Sequence, residues 1–274
     1  MRGRRSLPRQ AAVALGVLLL LVLAAAIAPL IAPYAFDALD LANRRGAPSG
    51  AHWFGTDELG RDLFTRVLFG ARVSLAVGLV SAAVSVAIGV TVGAMAGWSG
   101  RWVDALLMRL TDAMLSVPRL PLLMIAAAVL TPSVPLLIVM VGAAGWMETA
   151  RVVRAEVQSL KANDFVTAAR AVGATSTRVV VRHVLPGVLP TAAVATTLAV
   201  GRGILLESAL SFFGVGVQPP TASWGNILTE GKETLGVAWW LSVYPGLAIL
   251  VTVLGYNLLG EGLRDVLDPR LKAR

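Results

Sequence analysis

Six apolar runs, at about 11–33, 73–97, 105–130, 134–153, 187–213 and 241–260, alternate with polar segments along the chain. A helix needs roughly 20 apolar residues to cross the hydrocarbon core of a bilayer, so each run has the length of one span. The pattern predicts an all-α integral membrane fold with six transmembrane helices. In the second run Ser81, Ser85, Gly89, Gly93 and Gly97 recur at every fourth position, which puts small residues on one face for close packing by another helix. That row reads either as a static contact or as one that moves during a cycle. The third run is the least regular. Its Arg101, Asp104, Arg109 and Asp112 fall within about a 140° arc, a polar stripe that the helix can turn into the bundle. Pro118 and Pro121 then predict a kink.

The polar segments carry their own local signals. Thr56 is placed to cap a helix with Asp57 and Glu58 in its first turn and Leu59, Leu63, Val67 and Leu68 as an apolar stripe. This predicts an interfacial helix, read as a membrane-surface brace or as a contact for a partner. Trp239 and Trp240 open the sixth span and read as interface anchors or as substrate stackers. The start, RGRRSLPRQ before an apolar run, has the form of a signal peptide with small residues around Ala24 to Ala28. Its run of about 22 residues exceeds the roughly 7–15 of a signal h-region, so it is read as a retained span. Cleavage would leave five spans in the same orientation.

Charge sets the orientation. With a cytoplasmic N-terminus, seventeen Lys and Arg fall in inside segments, namely the N-terminal tail, 98–119, 151–186 and the C-terminus, against six outside. Basic residues favour the cytoplasmic side, so both termini are expected there. Against this, 35–72 holds Arg44, Arg45, Arg61, Arg66 and Arg72, which is unusually basic for an outside loop. The 274 residues are 56% hydrophobic with a mean hydropathy of +0.74, too apolar for an ordinary soluble domain. The net charge of +8 raises nucleic acid as a ligand, but Lys and Arg lie between apolar runs with no basic face and no stacking aromatics. No nucleic-acid partner is expected, and membrane lipid is. Absence of cysteine removes thiolate metal sites, disulfides and thiol nucleophiles.

Between the fourth and fifth spans, Arg151 to Pro186 is polar and falls on the cytoplasmic side. Its centre, DFVTAARAVGATSTRVVVRHVLP, predicts two short helices around a bend. Asp164 caps or charges the first helix, which runs through Ala171; Gly173 suits its left-handed C-terminal turn, and Thr175 or Ser176 opens the second. Ala168 and Ala169 give the first helix a small surface able to enter another protein's groove. The same features also fit an ordinary cytoplasmic loop.

The run from Thr167 resembles the EAA loop of binding-protein-dependent ABC importers, whose pattern is Glu-Ala-Ala, three residues, Gly, nine residues, an aliphatic position and Leu-Pro. Ala168, Ala169, Gly173, Leu185 and Pro186 fall on it; Thr167 replaces the Glu and His183 stands at the aliphatic position. FGTDELGRDLFTRVLFGARVSLAVG at 54–78, LSFFGVGVQPPTASWGNIL at 210–228 and NLLGEGLRDVLDPR at 257–270 resemble the second permease of dipeptide, oligopeptide and nickel importers. The resemblance implies an N-terminal helix plus a five-helix ABC importer permease (MetI-like) core. It divides the chain into 1–72, an N-terminal cytoplasmic tail, first transmembrane helix and extracytoplasmic segment, and 73–274, a permease domain with a cytoplasmic coupling loop at 151–186. It implies that Asp164, Phe165, Thr167, Ala168, Ala169, Arg170, Gly173, Leu185 and Pro186 couple to an ATPase. The implied partners are a second permease subunit, two ATP-binding subunits or domains and an extracytoplasmic solute-binding protein. Peptide is the first cargo expected, with nickel or a nickel chelate second.

No G-x-x-x-x-G-K-[ST] occurs, so ATP and Mg are expected in partner subunits and no cofactor on this chain. His52 and His183 lie too far apart in this topology to share a metal; each is read as solvated or hydrogen-bonded. No nucleophile, base and orienter form a hydrolase set, so no catalytic residue is assigned. A secondary transporter is the competing class, because Arg202 and Glu207 lie within the fifth span. Five residues apart, they point about 140° from one another on an ideal helix, which disfavours a mutual bridge. They read as lining a substrate pathway or as pairing with other helices. The coupling loop separates the classes, since neither a secondary transporter nor a membrane scaffold needs an element fitted to an ATPase.

Overall fold

A computed structural model describes residues 7–130, 133–232 and 234–267, and among them the chain is helical with no strand. Arg2, Arg4, Arg5, Arg270, Lys272 and Arg274, six of the basic residues counted as inside, lie outside this range, as does the end of the 257–270 segment. Four spans stand alone: α1 (Arg9–Ala26), α3 (Leu63–Trp98), the run from Ser176 to Phe212 and α12 (Trp240–Leu267). A short α2 (Ala28–Ile31) follows α1. The count reaches six when two broken pairs are each taken as one span. In the first, α4 (Arg101–Ser116) meets α5 (Arg119–Val129) at 82°, much sharper than a kink. Pro118 sits at the break as the N-cap of α5, where it ends the preceding helix, while Pro121 lies harmlessly in the first turn. In the second, α6 (Val134–Ala143) meets α7 (Trp146–Lys161) at 40° around Ala144 and Gly145.

The small-residue row on α3 is the seam of the bundle. A Cβ on Gly89, Gly93 or Gly97 would lie 2.8, 2.5 and 2.8 Å from the backbone oxygens of Trp146, Ala150 and Arg154 on α7. Only glycine permits two helix backbones to approach this closely. On the opposite side Gly255 and Gly262 of α12 receive Leu18 and Ala11 of α1, so the first helix is packed into the fold. The polar stripe on α4 is only half engaged. Asp104 pairs with Arg154 and Asp112 with Arg151 at 2.5 Å, both on α7, while Arg101 and Arg109 are exposed.

The 54–72 region differs from the interfacial helix expected of it. Asp62, not Thr56, caps the helix, accepting from the Thr65 N–H at 2.8 Å, and α3 runs unbroken from Leu63 to Trp98. The division at 72/73 therefore falls inside one helix. Thr56 is unavailable as a cap because its hydroxyl accepts from Gly46 N–H at 2.7 Å and donates to the Asn43 carbonyl at 2.5 Å. Asp57 sits in the preceding loop, fully buried, and accepts from Arg61 at 2.6 Å and Arg66 at 2.5 Å. Glu230 of α11 (Trp224–Lys232) pairs with the same two arginines, and Glu58 with Arg45 at 2.8 Å. Three of the five arginines of this segment, Arg45, Arg61 and Arg66, are thus paired with carboxylates within the fold. Trp240 is likewise buried, its indole N–H donating to the Thr56 carbonyl at 3.1 Å; it ties the loop to α12 and is not an interface anchor. Trp239 beside it is half-exposed.

Candidate functional site

At the end of the bundle where α3 finishes, α7 leads into α8 (Asp164–Ala171), a bend, α9 (Ser176–Val179), a π turn at Val180–Val184 and α10 (Leu185–Phe212). Asn163 holds the N-cap position of α8 and Asp164 supplies a charge to its first turn. Gly173 has φ +85°, the Gly173 N–H donates to Arg170 O at 2.9 Å and the Ala174 N–H to Ala169 O at 3.0 Å. Those two bonds, with a left-handed glycine after the cap, are a Schellman ending. Thr175 opens α9 by accepting from the Arg178 N–H at 3.4 Å.

The loop has two faces. Val166, Val179, Val184 and Val188 are buried with Val153 and Val157 of α7, and Ala169, Ala174 and Leu185 pack on this cluster. On the other face Phe165, Ala168 and Val172, spaced as one side of a helix, are exposed with Thr167 beside them. Ala169 therefore belongs to the base of the loop and not to its free surface, a distinction the spacing of two adjacent alanines could not make. Arg170 lies 4.8 Å from the centroid of the Trp98 ring and Lys161 donates to the Trp98 carbonyl at 2.6 Å, which ties the loop to the end of α3. Pro186 is exposed in the first turn of α10, and His183 is exposed 6.4 Å from the Phe165 ring.

Arg202 and Glu207 do not meet. Glu207 is fully buried and its carboxylate accepts from the hydroxyls of Ser74 at 3.0 Å, Ser211 at 2.8 Å and Ser208 at 3.4 Å. The Ser74 hydroxyl also accepts from the Trp224 N–H at 3.2 Å, so this carboxylate joins α3, α10 and α11. Arg202 turns to a cleft between α3, α5, α6 and α10, where it pairs with Glu148 of α7, and Glu148 pairs with Arg119 at 2.7 Å. Glu148 and Arg119 escaped the sequence reading. Their signal is a carboxylate inside the fourth apolar run and a guanidinium in the first turn after Pro118.

Comparison with known proteins places this architecture. Residues 89–273 match the family described as binding-protein-dependent transport system inner membrane component, and residues 9–48 match the N-terminal TM domain of oligopeptide transport permease C. The chain is 43% identical over 270 residues, 98% of its length and 91% of the relative's, to a putative peptide transport system permease protein of Brucella suis biovar 1. It is 38% identical over 252 residues, 92% of the chain and 83% of the relative, to a dipeptide transport system permease protein of Alkalihalophilus pseudofirmus. Against a glutathione transport system permease protein of Escherichia coli the identity is 42% over 255 residues, 93% of the chain and 84% of the relative. With its apolar helices, broken spans and helix–glycine–helix loop, the chain belongs to the binding-protein-dependent transport family as a multi-pass inner-membrane permease subunit of an ABC importer.

Proposed function

We propose that this permease carries peptides inward, with ATP and Mg bound by partner ATPases that grip the α8 loop. The two-faced loop carries the reading: an apolar base fixed to α3, α7 and α10, and a free face of Phe165, Thr167, Ala168 and Val172. A rigid base is what a coupling element needs, because movement of the docked ATPase must reach the spans instead of being absorbed by the loop. The Schellman turn at Gly173 sets the angle between α8 and α9, and the π turn feeds that movement into α10, which carries Arg202. The Thr167 hydroxyl offers the ATPase a hydrogen bond where the family pattern offers a carboxylate. The α8 end faces the cytoplasm, and the Asp57–Arg61–Arg66–Glu230 cap faces the solute-binding protein.

The cargo reading rests on relatives named for peptide, dipeptide and glutathione transport. Arg202 lines the pathway shared with the second permease; Glu207, enclosed by serines, braces α10 against α3 and α11. The test is uptake of a labelled tripeptide into proteoliposomes containing both permeases and both ATPases. Uptake that requires the binding protein outside and ATP inside supports the reading. Uptake driven by an ion gradient without ATP overturns it in favour of a secondary transporter.

A further inference from the structure

The cleft beside Arg202 has an imbalance that its role as a helix contact leaves unexplained. Two guanidiniums, Arg119 and Arg202, share one carboxylate, Glu148, and no other acidic residue lines the cleft among the described residues. Arg202 lies within α10, ten residues before its end at Phe212, and Arg119 opens α5 at the break after α4, ten residues before Val129, so each stands inside a span roughly 15 Å by helical rise from that end. A surplus positive charge at that depth is costly unless a ligand or a partner answers it. Arg cannot shed its proton to escape the cost.

A second observation points to the same space. Ser85 lines this cleft, is 3% exposed, and its hydroxyl is without a hydrogen-bond partner. Buried hydroxyls are normally satisfied, and this one, in a cleft that two arginines also line, has no partner among the described residues. Gly145 and Gly203 bring the helices close beside the cleft: a Cβ on Gly145 would lie 2.7 Å from the Ser85 oxygen, and one on Gly203 would lie 2.8 Å from the Ser81 oxygen, so neither position tolerates a side chain that would fill it. Glu148 and Arg202 are 44% and 38% exposed, so the ion pair is open to an incoming group. Glu207, the other acid on α10, is held by its serines and does not compete.

We infer that Arg119, Arg202 and the Ser85 hydroxyl form a subsite for the carboxylate of the cargo, with Glu148 as the internal counter-ion that the cargo carboxylate displaces. The inference rests on the peptide-permease reading and adds to it the group recognised. A free carboxylate brings the acceptors that both arginines and the serine require, and its fork matches the guanidinium bidentately. Glu148 keeps the arginines paired between cargoes and competes with the cargo, so the subsite releases what it holds. The partner permease closes over the exposed side.

The test measures equilibrium binding of trialanine and of trialanine amide to the complete transporter in nanodiscs, with the binding protein absent. Wild type should bind the acid about tenfold more tightly than the amide, the worth of one charge-assisted hydrogen bond. R202Q should abolish that preference, R202K should retain part of it, and E148Q should tighten acid binding by removing the competitor. Equal binding of acid and amide by wild type, no binding of either, or an E148Q variant that weakens acid binding as R202Q does, overturns the subsite and leaves a structural ion triad. ATP hydrolysis stimulated by the loaded binding protein is measured on the same preparations. If it persists while the acid preference is absent, the subsite alone fails; if it is absent too, the permease reading fails with it.

Discussion

Replacing Gly173 isolates the geometry of the coupling loop from its contacts. At φ +85° a Cβ on this residue would meet no heavy atom within 4 Å, so a side chain there collides with nothing outside its own backbone. The whole cost of substitution is the left-handed conformation, about 1–2 kcal/mol for an ordinary residue and more for a β-branched one. Asn visits this region with a smaller penalty because its short amide bonds to the local backbone. Where the loop relaxes instead of bearing the strain, a cost of about 1–2 kcal/mol lowers the population of the correct bend by roughly 5- to 30-fold. Relaxation also breaks the two Schellman bonds, from Gly173 to Arg170 and from Ala174 to Ala169, and turns Ala168 away from the angle that the proposed docking requires. ATP hydrolysis stimulated by loaded binding protein, in vesicles, should therefore fall in the order Gly, Asn, Ala, Val. Insertion and association with the second permease should be unchanged, since none of the spans contains this residue. Full stimulation with Val, or an Asn variant as damaged as Val, would refute the argument that the turn aims the loop.

The two adjacent alanines should behave oppositely. A168W, on the exposed face, should leave the permease stable and block ATPase binding, whereas A169W, on the buried face, should make the loop sensitive to limited proteolysis before any ATPase is added. A Gly93→Val change on α3 places a Cβ 2.5 Å from the Ala150 carbonyl, and overpacking of about 1–3 kcal/mol should appear as a lower melting temperature of the complex. D57N removes a buried carboxylate from Arg61 and Arg66, leaving Glu230 as their one acid, at a cost of about 3 kcal/mol. It should expose the 40–62 segment to protease while leaving ATPase binding at the other end intact.

What the chain's pattern reveals and what it hides divide along the range of the interactions. Apolar runs mark the spans because each must satisfy its own backbone in lipid, and the glycine row marks a close seam because nothing else fits there. The Schellman turn is equally local: its glycine and the residues that bond across it lie within six positions. By contrast, the start of α3 depends on Asn43 and Gly46 claiming Thr56, and on two arginines and Glu230 claiming or crowding Asp57, none of which periodicity records. Trp240 reads as an interface anchor by position and becomes a tether because a carbonyl 184 residues earlier accepts its N–H. The break between α6 and α7 carries no proline, only Gly145 pressed against Ser85. The polar cleft is half legible: Arg202 stands out in its span, while its counter-ion Glu148 comes from a different helix, where it borders the polar 151–186 segment. The two adjacent alanines look alike in the sequence, and the half-buried place of Ala169 on the apolar base emerges only once register within the short helix is fixed by that base.

The most direct measurement uses the absence of cysteine from this chain. A photo-activated crosslinker is attached to a single cysteine at Ala168 and the assembled transporter is irradiated in native membrane vesicles. The ATP-binding subunit should be the adduct, and its yield should change when ATP is trapped in the complex. An adduct with the solute-binding protein, or attachment of the crosslinker from outside intact cells by a membrane-impermeant reagent, would contradict both the orientation and the coupling role.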